Sequence, residues 1–103
     1  MSDYTADIQK YTANVNEAAV KAIVNYCGIA LRNADSSLVS GTDKDELATV
    51  RNGFAAKKLG LSAEAADAAI AKVLVTLKGV SRKHRVTFYY LLAEASGTMD
   101  KLA

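Results

Sequence analysis

The sequence predicts an all-α fold, a compact single domain of about five helices around a central apolar C-terminal helix. Three observations support this prediction: the 103 residues contain no proline, nineteen of them are alanine, and five segments carry apolar residues at helical spacing. The six glycines lie mostly where these segments end. A chain of this length suits one domain, which we assign to residues 1–103.

The first two predicted helices occupy about residues 3–11 and 16–32. The first carries three residues on one face, Tyr4, Ile8 and Tyr11. The second has an apolar stripe of helical period, formed by Val20, Ile23, Val24, Cys27 and Leu31. Gly28 lies within this stripe, and we interpret it as a point of close contact with a neighbouring helix rather than a hinge.

The third and fourth helices are predicted on either side of Gly60, which suits a helix end. Thr42 is the expected start of the third helix, and acids in its first turn complement the helix dipole: Asp43, Asp45 and Glu46. Ser62 is the expected N-cap of the fourth helix, and Gly79 ends it. The inner faces are predicted to comprise Leu47, Val50 and Phe54 in the third helix, and Ala66, Ile70, Val73 and Leu77 in the fourth.

The fifth helix is predicted to run from Ser81, its N-cap, to about Ala95, with Gly97 as its terminator. It contains the run 86–93, which is apolar on nearly every side. The residue types in this run also suit a buried strand, but its flanks fit helix ends and no partner strand is evident. A helix that is apolar all round belongs at the centre of a domain, so we expect the others to surround it.

Features of the sequence argue against secretion, membrane insertion and cofactor chemistry. The N-terminus has no signal region, and the apolar-rich stretch 18–31 is interrupted by Lys21 and Asn25, so we expect a cytoplasmic protein with no membrane partner. The single cysteine, Cys27, and the single histidine, His84, are too few and too far apart in sequence for a zinc site. The position of Cys27 within an apolar stripe argues against a Cys–His nucleophile. We interpret Cys27 as a buried packing residue, and we expect no cofactor and no catalytic group.

The start of the fifth helix breaks a local rule. Cations are unfavourable at the positive end of a helix dipole, yet Arg82, Lys83 and Arg85 lie in its predicted first turn. Residues 78–103 carry a net charge of +3, although the whole chain carries only +2. Because free backbone amides at a helix start also favour an anion, the sequence predicts an anion-binding site formed by Ser81, Arg82, Lys83 and Arg85.

Other interpretations of this basic segment remain open. It is either solvated or paired within the domain with one of four acids: Asp35, Asp43, Asp45 or Glu46. Arg82, Arg85 and Tyr89 share a helical face that would suit single-stranded nucleic acid, but the small net charge argues for a protein or a small anion instead. His84 is interpreted as a surface residue, or one packed on Phe88, rather than a pH sensor.

Six segments carry a resemblance to a known family. They are residues 2–4 (SDY) with 7–11 (DIQKY), 26–31 (YCGIAL), 35–40 (DSSLVS), 57–61 (KKLGL) and 83–94 (KHRVTFYYLLAE). Together they resemble the bacterial domain-of-unknown-function family 2853 over nearly the whole chain. The resemblance implies a stand-alone bacterial domain without an assigned activity, and it transfers no catalytic or binding residue.

Three hypotheses about function follow from the sequence, and the third is an enzyme whose catalytic residues the sequence does not identify. The first is a small non-enzymatic interaction domain that recognises an acidic protein surface or a small phosphorylated ligand through its basic segment. The alternative is a structural homo-oligomer without a ligand site, in which a second copy covers apolar surface on the second and fifth helices.

Overall fold

A computed structural model of the 103-residue chain describes residues 3–12, 15–28, 38–39, 44–79 and 83–101, with only the backbone at Asp3 and Lys83. The fold is all-α, as predicted. The helices are α1 (Asp3–Ile8), α2 (Glu17–Cys27), α3 (Lys44–Val50), a π-helix π1 (Arg51–Lys58), α4 (Ala63–Thr76) and α5 (Arg85–Ser96), followed by a 3₁₀ turn (Met99–Lys101).

The fifth helix lies at the centre of the fold, as its sequence predicted. All residues from Val86 to Ala93 are buried. The elements α1, α2, π1 and α4 each pack against α5. Eight consecutive buried positions require neighbours on every side of a helix, so the other elements surround α5.

The predicted inner face of α4 is confirmed, since Ala66, Ile70, Val73 and Leu77 are all buried. The helix begins as predicted, because the Ser62 hydroxyl accepts a hydrogen bond from the backbone N–H of Ala65 at 3.2 Å. Local spacing was sufficient here because the buried residues recur at helical spacing and the N-cap is clear.

The interpretation of Gly28 as a close packing contact is wrong. Helix α2 ends at Cys27, and Gly28 follows with a φ of +48° while its N–H donates to the carbonyl of Val24. A Cβ added at Gly28 would meet no heavy atom within 4 Å. Glycine is required at this position because the chain leaves the helix with a positive φ, which other residues adopt at a cost.

The third helix is less regular than predicted, because α3 continues into π1. The N–H of Leu59 donates to the carbonyl of Phe54, five residues earlier, at 3.1 Å. Residues five apart point about 140° apart on an α-helix, whereas the wider turn of a π-helix brings them nearly onto one face. Both Phe54 and Leu59 are consequently buried.

The predicted start of the fifth helix is wrong by three residues, because the N-cap is His84 rather than Ser81. Helix α5 begins at Arg85, after His84, whose side chain makes no capping hydrogen bond. Lys83–His84 forms a short strand, β2, that pairs antiparallel with β1 (Leu38–Val39), with Leu38 opposite His84 and Val39 opposite Lys83. This pairing keeps residues 83 and 84 extended, so Lys83 lies outside the first helical turn.

In the described ranges, no helix has both the length and the apolar character needed to cross a membrane.

Candidate functional site

The candidate site is centred on the side chain of Arg85, in the first turn of α5. Its Nη1 donates to the Tyr89 hydroxyl at 3.0 Å, and its Nη2 donates to the Leu38 carbonyl at 3.3 Å and to Glu46 Oε1 at 2.5 Å. The Arg85 side chain is only 11% exposed, and that of Glu46 is 24% exposed. One guanidinium therefore joins the start of α5 to β1 and to the first turn of α3.

Simple spacing rules explain how these groups meet. Arg85 and Tyr89 are four residues apart on α5, so their side chains are neighbours on one helical face. Glu46 is in the first turn of α3, and Leu38 is in β1, the strand that pairs with the residues just before α5. The carboxylate of Glu46 compensates the positive charge that Arg85 places at the unfavourable end of the α5 dipole.

An aromatic cluster lies beneath the guanidinium. The Tyr89 ring stacks on Phe54 with centroids 4.1 Å apart and planes at 13°, and Tyr26 packs edge-on against Phe54 at 5.2 Å. The guanidinium carbon of Arg85 lies 5.7 Å from the centroid of the Tyr89 ring. Because Tyr89 is only 6% exposed, its ring is already covered by the protein and does not offer the base-stacking surface that the predicted basic-aromatic strip requires.

Burial and charge determine the protonation of the groups around Arg85. Burial raises the pKa of the Tyr89 hydroxyl, although the hydrogen bond from Arg85 opposes this shift. Burial lowers the pKa of Arg85, but the contacts with Tyr89 and Glu46 outweigh it, so the net pKa is raised. Arg85 is therefore a permanent cation, and Tyr89 is neutral at physiological pH.

Cys27 is half-buried at the end of α2 and packs against the core, so the expected packing role holds although its burial is incomplete. Burial raises the pKa of its thiol to about 11, with the positive charge of Arg85 opposing the shift. A thiol with this pKa is almost entirely protonated at neutral pH, whereas nucleophilic cysteines have a lowered pKa. The geometry thus favours packing over catalysis for Cys27.

The four residues of the predicted anion site have different places in the structure. Arg85 is described in full, and its guanidinium contacts Glu46, one of the four acids that the sequence suggested as internal partners. The backbone of Lys83 lies in β2, while Ser81 and Arg82 lie outside the described residues, as does the side chain of Lys83. The structure therefore brings Lys83 and Arg85 to the junction of β2 and α5.

Sequence reasoning missed two partners of Arg85 and the neighbour of His84. The i, i+4 spacing of Arg85 and Tyr89 was a usable signal, but no local pattern pointed to the Leu38 carbonyl. His84 is half-buried, and its ring packs edge-on against Tyr4 at 5.9 Å. Across the part of the chain that the structure describes, no group of three or more His, Cys, Asp or Glu residues is placed to hold a metal ion.

Comparison with known proteins supports the family resemblance. The sequence matches, over residues 3–100, a family model described as "Protein of unknown function (DUF2853)". No curated protein matches the sequence. The matched residues include all five α-helices and both short strands described above. This extent confirms the resemblance carried by the sequence segments, and the chain belongs to the DUF2853 family.

Proposed function

We propose that this protein is a small non-enzymatic interaction domain that binds an acidic or phosphate-bearing partner through its basic segment, Arg82–Arg85. The observation that carries the proposal is the concentration of charge: three cations lie within four residues, at the start of a buried helix. Lysine and arginine form charge-assisted hydrogen bonds with carboxylates and phosphates, and arginine does so with two parallel bonds.

The structural setting of the segment supports this proposal. Strand β2 is paired with β1, and the residue that follows it, Arg85, is bound to Leu38, Glu46 and Tyr89. These contacts anchor the C-terminal end of the segment to three elements of the fold. A cation on an anchored backbone loses less conformational freedom when it binds a ligand than one on a mobile loop.

The same contacts give Arg85 a different role from that of the other predicted site residues. Because the Arg85 guanidinium already binds a carboxylate, a carbonyl and a hydroxyl, we assign it a positioning role rather than direct contact with the partner. The proposed contacts with the anion are then Ser81, Arg82 and Lys83.

The proposal favours a protein surface or a small phosphorylated ligand over nucleic acid. A net charge of +2 is small for a nucleic-acid-binding domain, and the ring of Tyr89, which the sequence placed on one face with Arg82 and Arg85, is buried. A purely structural oligomer is not supported on α5, one of the two helices that the sequence suggested, because residues Val86 to Ala93 are buried within the single chain.

Thermal melts in phosphate, sulfate and chloride at matched ionic strength test the proposed anion site. A ligand that binds only the folded protein raises its melting temperature, and specific binding adds to the general stabilising effect of sulfate and phosphate. We expect the Arg82→Ala/Lys83→Ala variant to lose the phosphate-specific part of this rise. Arg85 is left intact because its removal would disturb the fold whether or not an anion binds.

The matched control is Lys57→Ala/Lys58→Ala, which removes two consecutive cations from the last turn of π1. This variant should retain the full phosphate effect of the wild type. If wild type and both variants gain the same melting temperature from phosphate, the anion site does not exist.

The cytoplasmic location expected from the sequence belongs to the same proposal. Fractionation of cells that express the tagged full chain checks it, and recovery of the protein in the membrane pellet or the secreted fraction would contradict it.

A further inference from the structure

The outer face of α4 carries a seam of five exposed residues at alternating spacings of four and three, Glu64, Ala68, Ala71, Val75 and Lys78. At about 100° per residue, they lie within an arc of about 80°. Lys78 lies in the turn after α4, where its N–H donates to the carbonyl of Val75 at 3.2 Å. We call these five residues the α4 seam.

The α4 seam is apolar between its two charged ends, and its largest apolar side chain, that of Val75, is mostly exposed. Val75 is 75% exposed, whereas Ile70 and Val73 on the opposite side of the helix are buried. Ala68 and Ala71 are small enough to let the backbone of another helix approach to about 8 Å. An exposed apolar strip that is bounded by charges is a feature of surfaces that bind another protein.

The order of charges along the α4 seam identifies the partner and its orientation. Glu64 lies at one end and Lys78 at the other. A second α4 that runs antiparallel places Glu64 of each copy beside Lys78 of the other, Ala68 opposite Val75, and Ala71 opposite its own counterpart. A parallel arrangement would instead place glutamate beside glutamate and lysine beside lysine. The seam is therefore self-complementary about a two-fold axis near Ala71.

We infer that a second copy of this chain covers the α4 seam and that the two copies form an antiparallel α4–α4 dimer. The seam spans fourteen residue steps, or about 21 Å, which is short for a protein interface. The dimer is accordingly weak and depends on concentration. This inference goes beyond the proposed anion site, because the start of α5 takes no part in it.

Sedimentation velocity over a range of protein concentrations tests the dimer. We expect the wild type to shift from monomer to dimer as concentration rises, and Ala71→Glu to lower the association constant by about tenfold or more, because it places two like charges face to face. The matched control is Ala65→Glu, which adds the same charge at an exposed position of α4 about 100° away from the seam. This variant should dimerise like the wild type.

Charge reversal tests the antiparallel orientation. Lys78→Glu and Glu64→Lys should each weaken the dimer, and the double variant should restore it, because it recreates both ion pairs with opposite polarity. All five positions are exposed, and circular dichroism melts check that each variant remains folded. A wild type that stays monomeric at every concentration, equal association of Ala71→Glu and Ala65→Glu, or a double variant no better than the singles would overturn the inference.

Discussion

The charge of Arg85 is unfavourable within its own helix, but contacts with other elements of the fold stabilise it. At the start of α5 its charge opposes the helix dipole, an effect of about 0.3–1 kcal/mol at exposed positions. The carboxylate of Glu46, 2.5 Å from its Nη2, together with the Tyr89 hydroxyl and the Leu38 carbonyl, offsets this cost. The unfavourable charge of Arg85 at the helix start is therefore compensated within the fold. Its position is not by itself evidence for a ligand.

The first prediction concerns this ion pair. Arg85→Ala should lower the free energy of unfolding by about 2–4 kcal/mol, because it leaves Glu46 partly buried without its cation. Glu46→Gln should cost less, because the glutamine carbonyl can still accept a hydrogen bond from Arg85, which also keeps its bonds to Tyr89 and Leu38. Urea denaturation of the two single variants and of the double variant gives the coupling free energy between Arg85 and Glu46. We expect this energy to be about 1–3 kcal/mol.

The control for this cycle is the pair between Arg51 and Asp67. Its N–O distance is 3.4 Å, and its side chains are 33% and 59% exposed, so Arg51→Ala should cost only about 0–1 kcal/mol. Equal costs for Arg85→Ala and Arg51→Ala would show that the Arg85 contacts contribute little to the stability of the fold.

At the scale of elements, the ends of the helices depend on backbone conformation more than on packing. Gly28, Gly60, Gly79 and Gly97 have positive φ values and follow α2, π1, α4 and α5 respectively. Gly53 differs, because it lies inside π1 and has no positive φ. The two backbone conformations therefore predict opposite effects of substitution by alanine on the free energy of unfolding.

The second prediction compares Gly28→Ala with Gly53→Ala. An added Cβ meets no heavy atom within 4 Å at either position, so steric crowding is the same in both variants. Gly28→Ala should lower the free energy of unfolding by about 1 kcal/mol, because alanine resists a φ of +48°. Gly53→Ala should raise it by up to about 1 kcal/mol, since alanine favours helical backbone. Thermal and urea denaturation measure both changes, and a loss of stability at Gly53 would show that the π-helical geometry of π1 requires glycine.

At the scale of the whole molecule, nearly every element depends on α5. Its polar groups also tie distant segments together: the Tyr90 hydroxyl accepts from the N–H of Asn16 at 2.8 Å, and Thr87 donates to the Asp7 carboxylate. The radius of gyration of 12.2 Å is close to the value of about 13 Å for a compact domain of this length. A change that disturbs α5 should therefore unfold the domain as one unit.

The third prediction concerns this global stability at alkaline pH. The folded state raises the pKa of Cys27 from 9.0 to about 11 and raises that of Tyr89 above 10.0, in both cases chiefly by burial. Below about pH 8 both groups are protonated whether the chain is folded or unfolded, and their contribution to stability is fully present. Above this pH the unfolded chain ionises first, so stability falls as the pH rises towards 11.

Urea denaturation at about pH 8 and about pH 10 should show a loss from Cys27 of less than about 1 kcal/mol, because the thiol is only half-buried and solvent screening reduces the effect. Cys27→Ala removes this contribution, so its stability should fall less steeply between the two pH values, whatever its absolute stability. Identical slopes for wild type and Cys27→Ala would contradict the raised pKa of the thiol.

Sequence patterns were enough to predict the all-α class, the central position of α5 and the inner face of α4. These features follow from local information: helical spacing of apolar residues, an N-cap at Ser62, and a run from Val86 to Ala93 that is apolar on every side. Such patterns are read within one element, so they require no knowledge of its neighbours.

Two features could not be predicted without the tertiary structure: the residue at which α5 begins and the groups that Arg85 contacts. Both depend on β1, because Leu38 pairs with His84 and its carbonyl accepts from Arg85, forty-seven residues along the chain. The wide turn of π1 is likewise a response to the core, since it allows Phe54 to stack on Tyr89 while Leu59 is also buried. Helical periodicity carries no information about such distant contacts, because they arise from the packing of one element against another rather than from the spacing of residues within it.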